Sequence, residues 1–155
     1  MGKIAVYAGS FCPFTKGHED IVSRAVPLFD RLVIAVGHNF LKKDAFSVEQ
    51  RLQWIQTLYA SNPSVEVTAY TGLTIDLCRK LGARYLVRGL RSSQDFLKEE
   101  ELALVNRRIA PEVETLFLLA SDRWRPVSSS MVRELWSLGA DYTPFVSYKL
   151  PDFRL

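Results

Sequence analysis

Five short apolar runs, each followed by a segment of helical periodicity, constrain the fold of this chain more than any other feature of its sequence. The runs occupy residues 3–8, 32–37, 65–70, 85–87 and 115–120. Their nearly continuous apolar character is typical of strands that are covered on both faces, as in a parallel sheet. Because such strands alternate with helices along the whole chain, the sequence predicts an α/β fold. We expect an open, doubly wound sheet of five parallel strands with helices on both faces.

Capping residues indicate where the helices begin. Ser47 opens a capping-box pattern, Ser93 is expected to cap a long charged helix, and Ser128 is expected to cap the last clear helix. The segment 141–155 is expected to form a short helix and a loose end without chemistry. Since no repeat or linker interrupts the sequence, residues 1–155 are predicted to form one Rossmann-like domain.

Composition excludes several classes of function. Of the 155 residues, 48% are hydrophobic and 24% are charged, the balance of a globular protein. Twenty Lys and Arg against 17 Asp and Glu leave a net charge of +3, too small and too scattered for a nucleic-acid-binding stripe. Cys12 and Cys78 have no metal-binding or redox spacing. The absence of a long apolar run predicts no membrane association, so a cytoplasmic protein is expected.

The loop between the first strand and the first helix is the strongest candidate site, because ligands of doubly wound sheets bind at the carboxyl ends of the strands. It reads Gly9-Ser10-Phe11-Cys12-Pro13-Phe14-Thr15-Lys16-Gly17-His18. The N-terminus of a helix offers free N–H groups to a phosphate, and Gly17 lets the backbone approach it. His18 can donate a hydrogen bond to the same anion. The alternative interpretation is that His18 only caps the helix.

Two arginines flank a glycine in the segment Arg88-Gly89-Leu90-Arg91, which we expect to follow the short fourth strand as a loop. Guanidinium groups suit a phosphate clamp because they stay charged and offer fork-like donors. The alternative is surface ion pairing with the acidic run at residues 99–101, and spacing alone does not decide between the two.

Hydroxyl and lysine side chains form two further candidates. The run Ser128-Ser129-Ser130 at a helix start presents hydroxyls and N–H groups to a phosphate, although serines there are often only caps. Lys42 and Lys43 lie in the loop after the second strand, where adjacent lysines are usually just solvated.

The segment Thr15-Lys16-Gly17-His18 resembles the T-x-G-H signature of the nucleotidyltransferase superfamily, which also contains the class I aminoacyl-tRNA synthetases. From residue 4 to about residue 138 the chain resembles the bacterial phosphopantetheine adenylyltransferases. Besides the first loop, the resemblance rests on Lys42-Lys43, Arg88-Gly89-Leu90-Arg91, Asp95-Phe96, Glu99, Asn106-Arg107, Trp124 and Val127-Ser128-Ser129-Ser130. Several separate motifs in the right order are more specific than any one of them.

The resemblance implies a role for each of these residues. As catalytic residues it indicates His18, Lys42 and Arg91. As ATP-binding residues it indicates Ser10, Phe11, His18, Gly89, Leu90, Arg91, Glu99, Trp124, Arg125, Pro126, Val127, Ser128, Ser129 and Ser130. For the acceptor substrate it indicates Ser10, Lys42, Thr74 and Arg88.

The reaction that the resemblance implies is transfer of the adenylyl group of ATP to 4′-phosphopantetheine, the penultimate step of coenzyme A synthesis. Mg²⁺ is expected to travel with ATP and not in a protein cage, so no metal-ligating residue is predicted. The family is typically hexameric, which implies a homohexamer here, with no nucleic acid or membrane partner.

Three positions depart from the family pattern: Cys12 stands where Asp is common, Ser10 where Thr is, and Lys98 where an aromatic residue is. The alternatives are an enzyme of the same superfamily that acts on nicotinamide mononucleotide or glycerol 3-phosphate, and a nucleotide sensor without turnover. An RNA-binding domain is a third and weaker interpretation. The residues and the resemblance together favour the phosphopantetheine enzyme.

Overall fold

Five parallel strands form one sheet in the computed structural model, which describes residues 2–154. They are β1 (Ile4–Gly9), β2 (Arg31–Gly37), β3 (Val65–Tyr70), β4 (Tyr85–Leu90) and β5 (Glu114–Leu119). The spatial order is β3-β2-β1-β4-β5, and every neighbouring pair is parallel. The chain therefore builds outward from β1 first in one direction and then in the other. This order confirms the predicted doubly wound sheet and puts a crevice at the carboxyl ends of β1 and β4.

The helices that connect the strands begin close to their predicted caps. They are α1 (Lys16–Ala25), α2 (Val48–Tyr59), α3 (Thr74–Leu81), α4 (Ser93–Ile109) and α5 (Ser129–Ser137), with short 3₁₀ turns at Val26–Leu28 and Thr143–Phe145. Among residues 2–154, none of the helices combines the length and the apolar character that crossing a bilayer would need.

Both faces of the sheet are covered, as the apolar runs predicted. Along β1, Ala5 and Tyr7 pack into the cluster that includes α1, whereas Val6 and Ala8 pack into the cluster that includes α3. Cys78 of α3 is fully buried in the second cluster, and burial raises the pKa of its thiol to about 11. It is therefore a core residue and stays protonated at neutral pH.

Strand β4 is longer than the sequence indicated. Its backbone pairs with β5 as far as Leu90, with Arg88 opposite Phe117 and Gly89 opposite Leu118. The prediction that Arg88, Gly89 and Leu90 form a loop is therefore wrong, and only Arg91 follows the strand. Arg88 and Gly89 are not typical strand residues, so the apolar pattern ended too early. The end of β4 is instead defined by its pairing with β5, which lies far along the chain.

The cap of α4 lies one residue earlier than predicted. Ser93 is already the first helical residue, and the hydroxyl oxygen of Ser92 accepts from the N–H of Asp95 at 3.1 Å. Two adjacent serines offer the same cap, and the backbone angles of the extended residue before the helix decide between them.

The C-terminal segment is not a loose end. Val146 and Leu150 are buried with Cys12, Val127 and Val132 in a third cluster, beneath α5. A stack with a ring centroid separation of 4.9 Å joins Tyr148 to Trp54 of α2. The segment was expected to carry no structure beyond a short helix, and that prediction is wrong because its apolar residues close the space beside the first loop.

Candidate active site

A cavity of about 390 Å³ opens at the carboxyl ends of β1 and β4. It brings together residues from the first loop, β4, the loop after β2 and the start of α5, although these segments are far apart in sequence. The predicted site residues that line it are Ser10, Phe11, His18, Lys42, Arg88, Gly89, Leu90, Arg91, Trp124, Val127, Ser128, Ser129 and Ser130.

Four of the predicted residues do not line this cavity. Thr74, at the start of α3, exchanges a hydrogen bond of 2.7 Å with the hydroxyl of Tyr70. Arg125 and Pro126 are exposed in a turn before α5. Glu99, on α4, lies behind the cavity wall, where its carboxylate binds a cavity-lining arginine.

The two ring nitrogens of His18 have different environments. The N–H of Thr15 donates to Nδ1 at 2.9 Å, and the Thr15 hydroxyl oxygen accepts from the His18 N–H, so the pair forms a capping box at the start of α1. Because Nδ1 accepts a hydrogen bond, the proton of the neutral ring is on Nε2. Phe14 stacks on the ring at 5.2 Å and Phe11 meets it edge-on at 5.0 Å, which fixes its orientation. His18 therefore caps the helix and also leaves a donor for the cavity.

The environment of His18 keeps it neutral. Burial, followed by the positive charges of Arg91 and Arg88, lowers the pKa of His18 to about 3. At neutral pH the ring then acts as a hydrogen-bond donor through Nε2–H and not as an imidazolium. A neutral donor of fixed position suits stabilisation of charge that develops on a phosphate oxygen.

Arg88 is held in place by three contacts. Its Nε and Nη2 donate to the two carboxylate oxygens of Glu99 at 2.7 and 2.6 Å, and its Nη1 donates to the carbonyl of Ala8 at 2.7 Å. A guanidinium has five N–H donors, so two remain for a ligand. The ion pair with the acidic run, which was the alternative to a phosphate clamp, is thus present between Arg88 and Glu99. Because two N–H donors remain, Arg88 can also bind a phosphate.

The cavity carries more positive than negative charge. Arg91 pairs with Asp95 at 3.7 Å, as Arg88 pairs with Glu99, whereas Lys42 and Arg133 have no ion pair within residues 2–154. Among the described residues that line the cavity, none is Asp or Glu. The site is therefore suited to a ligand with several negative charges.

Side chains from the C-terminal third of the chain hold the first loop in place. Ser129 donates its hydroxyl hydrogen to the carbonyl of Pro13 at 2.7 Å, Arg133 donates to that of Cys12 at 2.6 Å, and Tyr148 donates to that of Phe14. A hydroxyl has one hydrogen to donate, so Ser129 is left with its backbone N–H for an anion.

The hydroxyl of Ser130 is in the opposite situation. It accepts from Nη2 of Arg133 at 3.2 Å, and its own hydrogen remains available to the cavity. Of Ser129 and Ser130, only Ser130 therefore keeps a hydroxyl hydrogen that it can donate to a ligand.

Arg133 is a charged cavity-lining residue that sequence reasoning missed. It lines the cavity and lies four residues after Ser129, so one helical turn brings it to the same face as the start of α5. That spacing is readable from the sequence, but without the fold it cannot be told from an ordinary solvated arginine.

Gly89 lets the cavity floor lie close to α1. A Cβ atom added there would come within 3.2 Å of Cγ1 of the buried Ile21, tighter than most real Cβ contacts. The glycine that interrupted the fourth apolar run is thus favoured by close packing and not by a turn.

The donor set around the cavity gives a metal ion no protein cage. No group of three or more His, Cys, Asp or Glu side chains that could hold one occurs in the described part of the chain. A hard cation such as Mg²⁺ binds oxygen ligands.

Comparison with known proteins identifies a family for this fold and site. The family model described as cytidylyltransferase-like matches residues 6–135. The chain is 47% identical over 142 residues to a phosphopantetheine adenylyltransferase of Flavobacterium psychrophilum, covering 92% of this chain and 93% of that protein. It is 48% identical over 143 residues to one of Porphyromonas gingivalis, with coverage of 92% and 93%.

Solved structures with low sequence identity share the fold. A bifunctional NMN adenylyltransferase/ADP ribose pyrophosphatase from Francisella tularensis superimposes with a TM-score of 0.72 at 19% identity, over 97% of this chain and 46% of that one. A putative nicotinate-nucleotide adenylyltransferase from Vibrio parahaemolyticus gives a TM-score of 0.68 at 17% identity, over 96% and 95% of the two chains.

Proposed function

Since this chain belongs to the cytidylyltransferase-like family, and within it to the phosphopantetheine adenylyltransferases, we propose that it transfers the adenylyl group of ATP to 4′-phosphopantetheine. The products are dephospho-coenzyme A and pyrophosphate, and the reaction is the penultimate step of coenzyme A synthesis. One observation of the structure carries the proposal: a neutral histidine donor and four cationic side chains converge on one cavity, and none of the residues in 2–154 that line it carries a carboxylate.

The acceptor phosphate needs no general base. The second pKa of a phosphate monoester is about 6, so the phosphate of 4′-phosphopantetheine is already an ionised nucleophile at neutral pH. Its oxygen attacks the α-phosphorus of ATP, the bond to the bridging oxygen breaks, and pyrophosphate leaves in line. The work of the protein is to position the two substrates and to stabilise charge.

Three residues bind the acceptor phosphate in this proposal. Ser10, just after β1, and Lys42, in the loop after β2, both line the cavity. Arg88 also lines it and has two N–H donors that its contacts with Glu99 and Ala8 do not use. Thr74 lies at the same edge of the sheet but outside the cavity, where it contacts the pantetheine arm beyond the phosphate.

The triphosphate of ATP binds at the starts of α1 and α5. His18 donates from Nε2 to the α-phosphate as negative charge builds on it, and Arg91 supports the same group. The N-terminus of α5, the hydroxyl of Ser130 and the guanidinium of Arg133 receive the departing pyrophosphate. Of the other predicted nucleotide contacts, those from Trp124 to Ser128 lie on the segment that leads into α5.

Mg²⁺ is bound by phosphate oxygens in this proposal. The lack of carboxylates among the described cavity-lining residues supports a metal that arrives with ATP. It would neutralise charge on the β- and γ-phosphates, while the side chains of the chain orient the substrates around it.

Release of pyrophosphate by the purified protein tests the function. With ATP and Mg²⁺ we expect release that depends on 4′-phosphopantetheine, with dephospho-coenzyme A formed in equal amount. Nicotinamide mononucleotide and glycerol 3-phosphate serve as competing acceptors. Release with one of these alone would keep the site and change the substrate, and silence with all three would leave a nucleotide sensor.

Neighbouring lysines supply a matched pair of variants for the acceptor site. Lys42 lines both the cavity at the ends of β1 and β4 and a neighbouring one, whereas Lys43 lines only the neighbouring one. Lys42→Ala should raise the KM for 4′-phosphopantetheine by about tenfold or more, the effect of losing one charge-assisted phosphate contact, while Lys43→Ala stays near the wild type. Equal effects of the two variants would mean that Lys42 acts only through the overall charge.

We propose a homohexamer as the assembled form. The support is the family and an apolar surface on α4, which has no buried residue: Leu97, Leu104 and Val105 are 63%, 59% and 53% exposed. An apolar surface of this kind on a folded chain marks a contact with another protein surface. Sedimentation velocity should give the mass of six chains, and Leu104→Glu should give a smaller species.

A further inference from the structure

A buried arginine joins the two segments that carry the proposed acceptor-phosphate ligands. Arg51, on α2, is 1% exposed although it is charged. Its Nη1 donates to the carbonyls of Ser10 at 2.5 Å and of Gly37 at 3.4 Å. Its Nη2 donates to the carboxylate of Asp44 at 2.9 Å. The guanidinium therefore connects the first loop, the end of β2 and the segment that follows Lys42.

The third nitrogen of the Arg51 guanidinium, Nε, binds the start of its own helix. Nε donates to the carbonyls of Phe46 and Ser47 at 3.1 and 3.3 Å. A planar group with a fork of donors can hold several carbonyls and a carboxylate in one fixed arrangement, which a lysine cannot. A buried charge that loses its partner is costly, so the Arg51 guanidinium favours conformations of the chain that keep the Asp44 carboxylate in place.

The loop that carries Lys42 has little else to hold it. We call residues 38–45 the Lys42 loop; Phe40 and Leu41 in it are 80% and 98% exposed. Within the described chain, the hydrogen bonds that tie this loop to other segments are those from the His38 N–H to Tyr70 and from Arg51 to Asp44. The other hydrogen bonds of the loop are internal, from Lys42 and Leu41 to Asn39.

We infer that the Asp44–Arg51 pair is a positioning device for the acceptor phosphate: it sets the place of Lys42 relative to Ser10. The inference rests on the proposed function, in which these two residues bind that phosphate. Asp44 lies two residues after Lys42, and the same guanidinium that binds it also binds the Ser10 carbonyl. Arg51 is buried and lines neither cavity, and Asp44 lines only the neighbouring cavity beside Lys42 and not the one at the ends of β1 and β4. The pair therefore acts through Lys42 and Ser10.

The prediction is a selective change in acceptor affinity. Asp44→Ala releases the end of the Lys42 loop and should raise the KM for 4′-phosphopantetheine by about tenfold, with the KM for ATP changed by less than about twofold. Glu112→Ala is the matched control, because it removes a carboxylate from an ion pair of 2.6 Å with Arg79, away from the cavity. It should leave both KM values at the wild-type level.

A double-mutant cycle separates positioning from a general structural role. If Asp44 acts through Lys42, then Asp44→Ala adds no further increase in acceptor KM to a Lys42→Ala protein. Hydrogen exchange of the free protein should also rise in the Lys42 loop alone. If Asp44→Ala does not fold, Asp44→Asn, which keeps a hydrogen-bond acceptor, and Arg51→Lys, which keeps the charge, replace it in the same cycle.

The outcomes distinguish the inference from its premise. An unchanged acceptor KM in Asp44→Ala, equal increases for both substrates, or full additivity with Lys42→Ala would overturn the positioning role. A Lys42→Ala protein with a normal acceptor KM would instead show that Lys42 does not bind the phosphate, and the inference would fall with that assignment. If the wild type does not use 4′-phosphopantetheine, the proposed function itself is wrong.

Discussion

Substitution of His18 separates its two structural roles, because each role uses a different ring nitrogen. Nδ1 accepts from the N–H of Thr15 at 2.9 Å and caps α1, and Nε2–H faces the cavity. In His18→Asn the amide oxygen can replace Nδ1 as acceptor, but no atom reaches the position of Nε2. In His18→Ala both contacts are lost. Both variants thus lose the donor at Nε2, but only His18→Asn keeps an acceptor for the N–H of Thr15.

The expected magnitudes follow from these contacts. Loss of a donor that acts in the transition state costs about 2.7–4 kcal/mol, so kcat should fall by about 10²- to 10³-fold in both variants. His18→Ala loses one of the two hydrogen bonds of the capping box, since the Thr15 hydroxyl still accepts from the backbone N–H of residue 18. One such hydrogen bond contributes about 1 kcal/mol, so His18→Ala should be less stable than His18→Asn by about that amount. Both variants also lose the stacking on Phe14 and Phe11, which is worth about 0.5–1.5 kcal/mol for each pair.

The assays are the steady-state rate of pyrophosphate release and unfolding in urea. We expect equal losses in kcat, little change in ATP binding, and unequal stabilities. If His18→Asn turned over near the wild-type rate while His18→Ala was inactive, the cap would explain the activity and His18 would have no part in the chemistry. A folded His18→Gln protein that regained activity would support the donor, since its amide nitrogen reaches toward the position of Nε2.

Three further predictions follow from the same contacts. Because the pKa of His18 is lowered to about 3, its stabilising effect is complete above the unfolded-state value of about 6.5 and is lost as the pH falls toward 3. The difference in unfolding free energy between wild type and His18→Asn, measured in urea, should therefore shrink by up to about 1.4 kcal/mol per pH unit below 6.5; a constant difference would contradict a neutral buried ring. Arg88→Ala should raise the KM for 4′-phosphopantetheine by about 10- to 100-fold in steady-state assays, and a change in ATP affinity alone would mean that the two phosphates were assigned to the wrong sites. Ser130→Ala should lower kcat more than Ser129→Ala, which should mainly lower thermal stability because it releases the carbonyl of Pro13; the reverse order would exclude the Ser130 hydroxyl as the donor.

Local pattern accounts for most of what could be predicted from the sequence. Apolar runs typical of strands with two covered faces predicted five strands in a doubly wound parallel sheet. The strand order in the structure confirms this prediction. The first loop could be recognised as a candidate site from the sequence. Thr15, Gly17 and His18 lie together at a helix start, so their arrangement depends only on neighbouring residues. The capping box joins Thr15 to His18, which are only three positions apart. The family resemblance added the acceptor, which residue pattern alone left open.

Contacts between distant segments decided what sequence reasoning could not. The length of β4 depends on pairing with β5, and the shape of the C-terminal segment depends on the space beside the first loop. Arg133 reaches Cys12 across a separation of 121 residues, and Arg51 reaches Ser10 across 41. A lone arginine in a sequence is most often solvated, and only the fold shows that one lines a cavity and another is buried.

The sequence by itself determined the class of the sheet, the first loop as part of the candidate site, and the family, because each depends on residues close together in the chain or on motif order. The tertiary structure decided which nitrogen of His18 faces the cavity, which serine keeps a free hydroxyl hydrogen and which charges stay unpaired within residues 2–154. Hydrogen bonds and ion pairs have specific partners and directions, and those partners are brought within 3 Å or so only when the chain has folded.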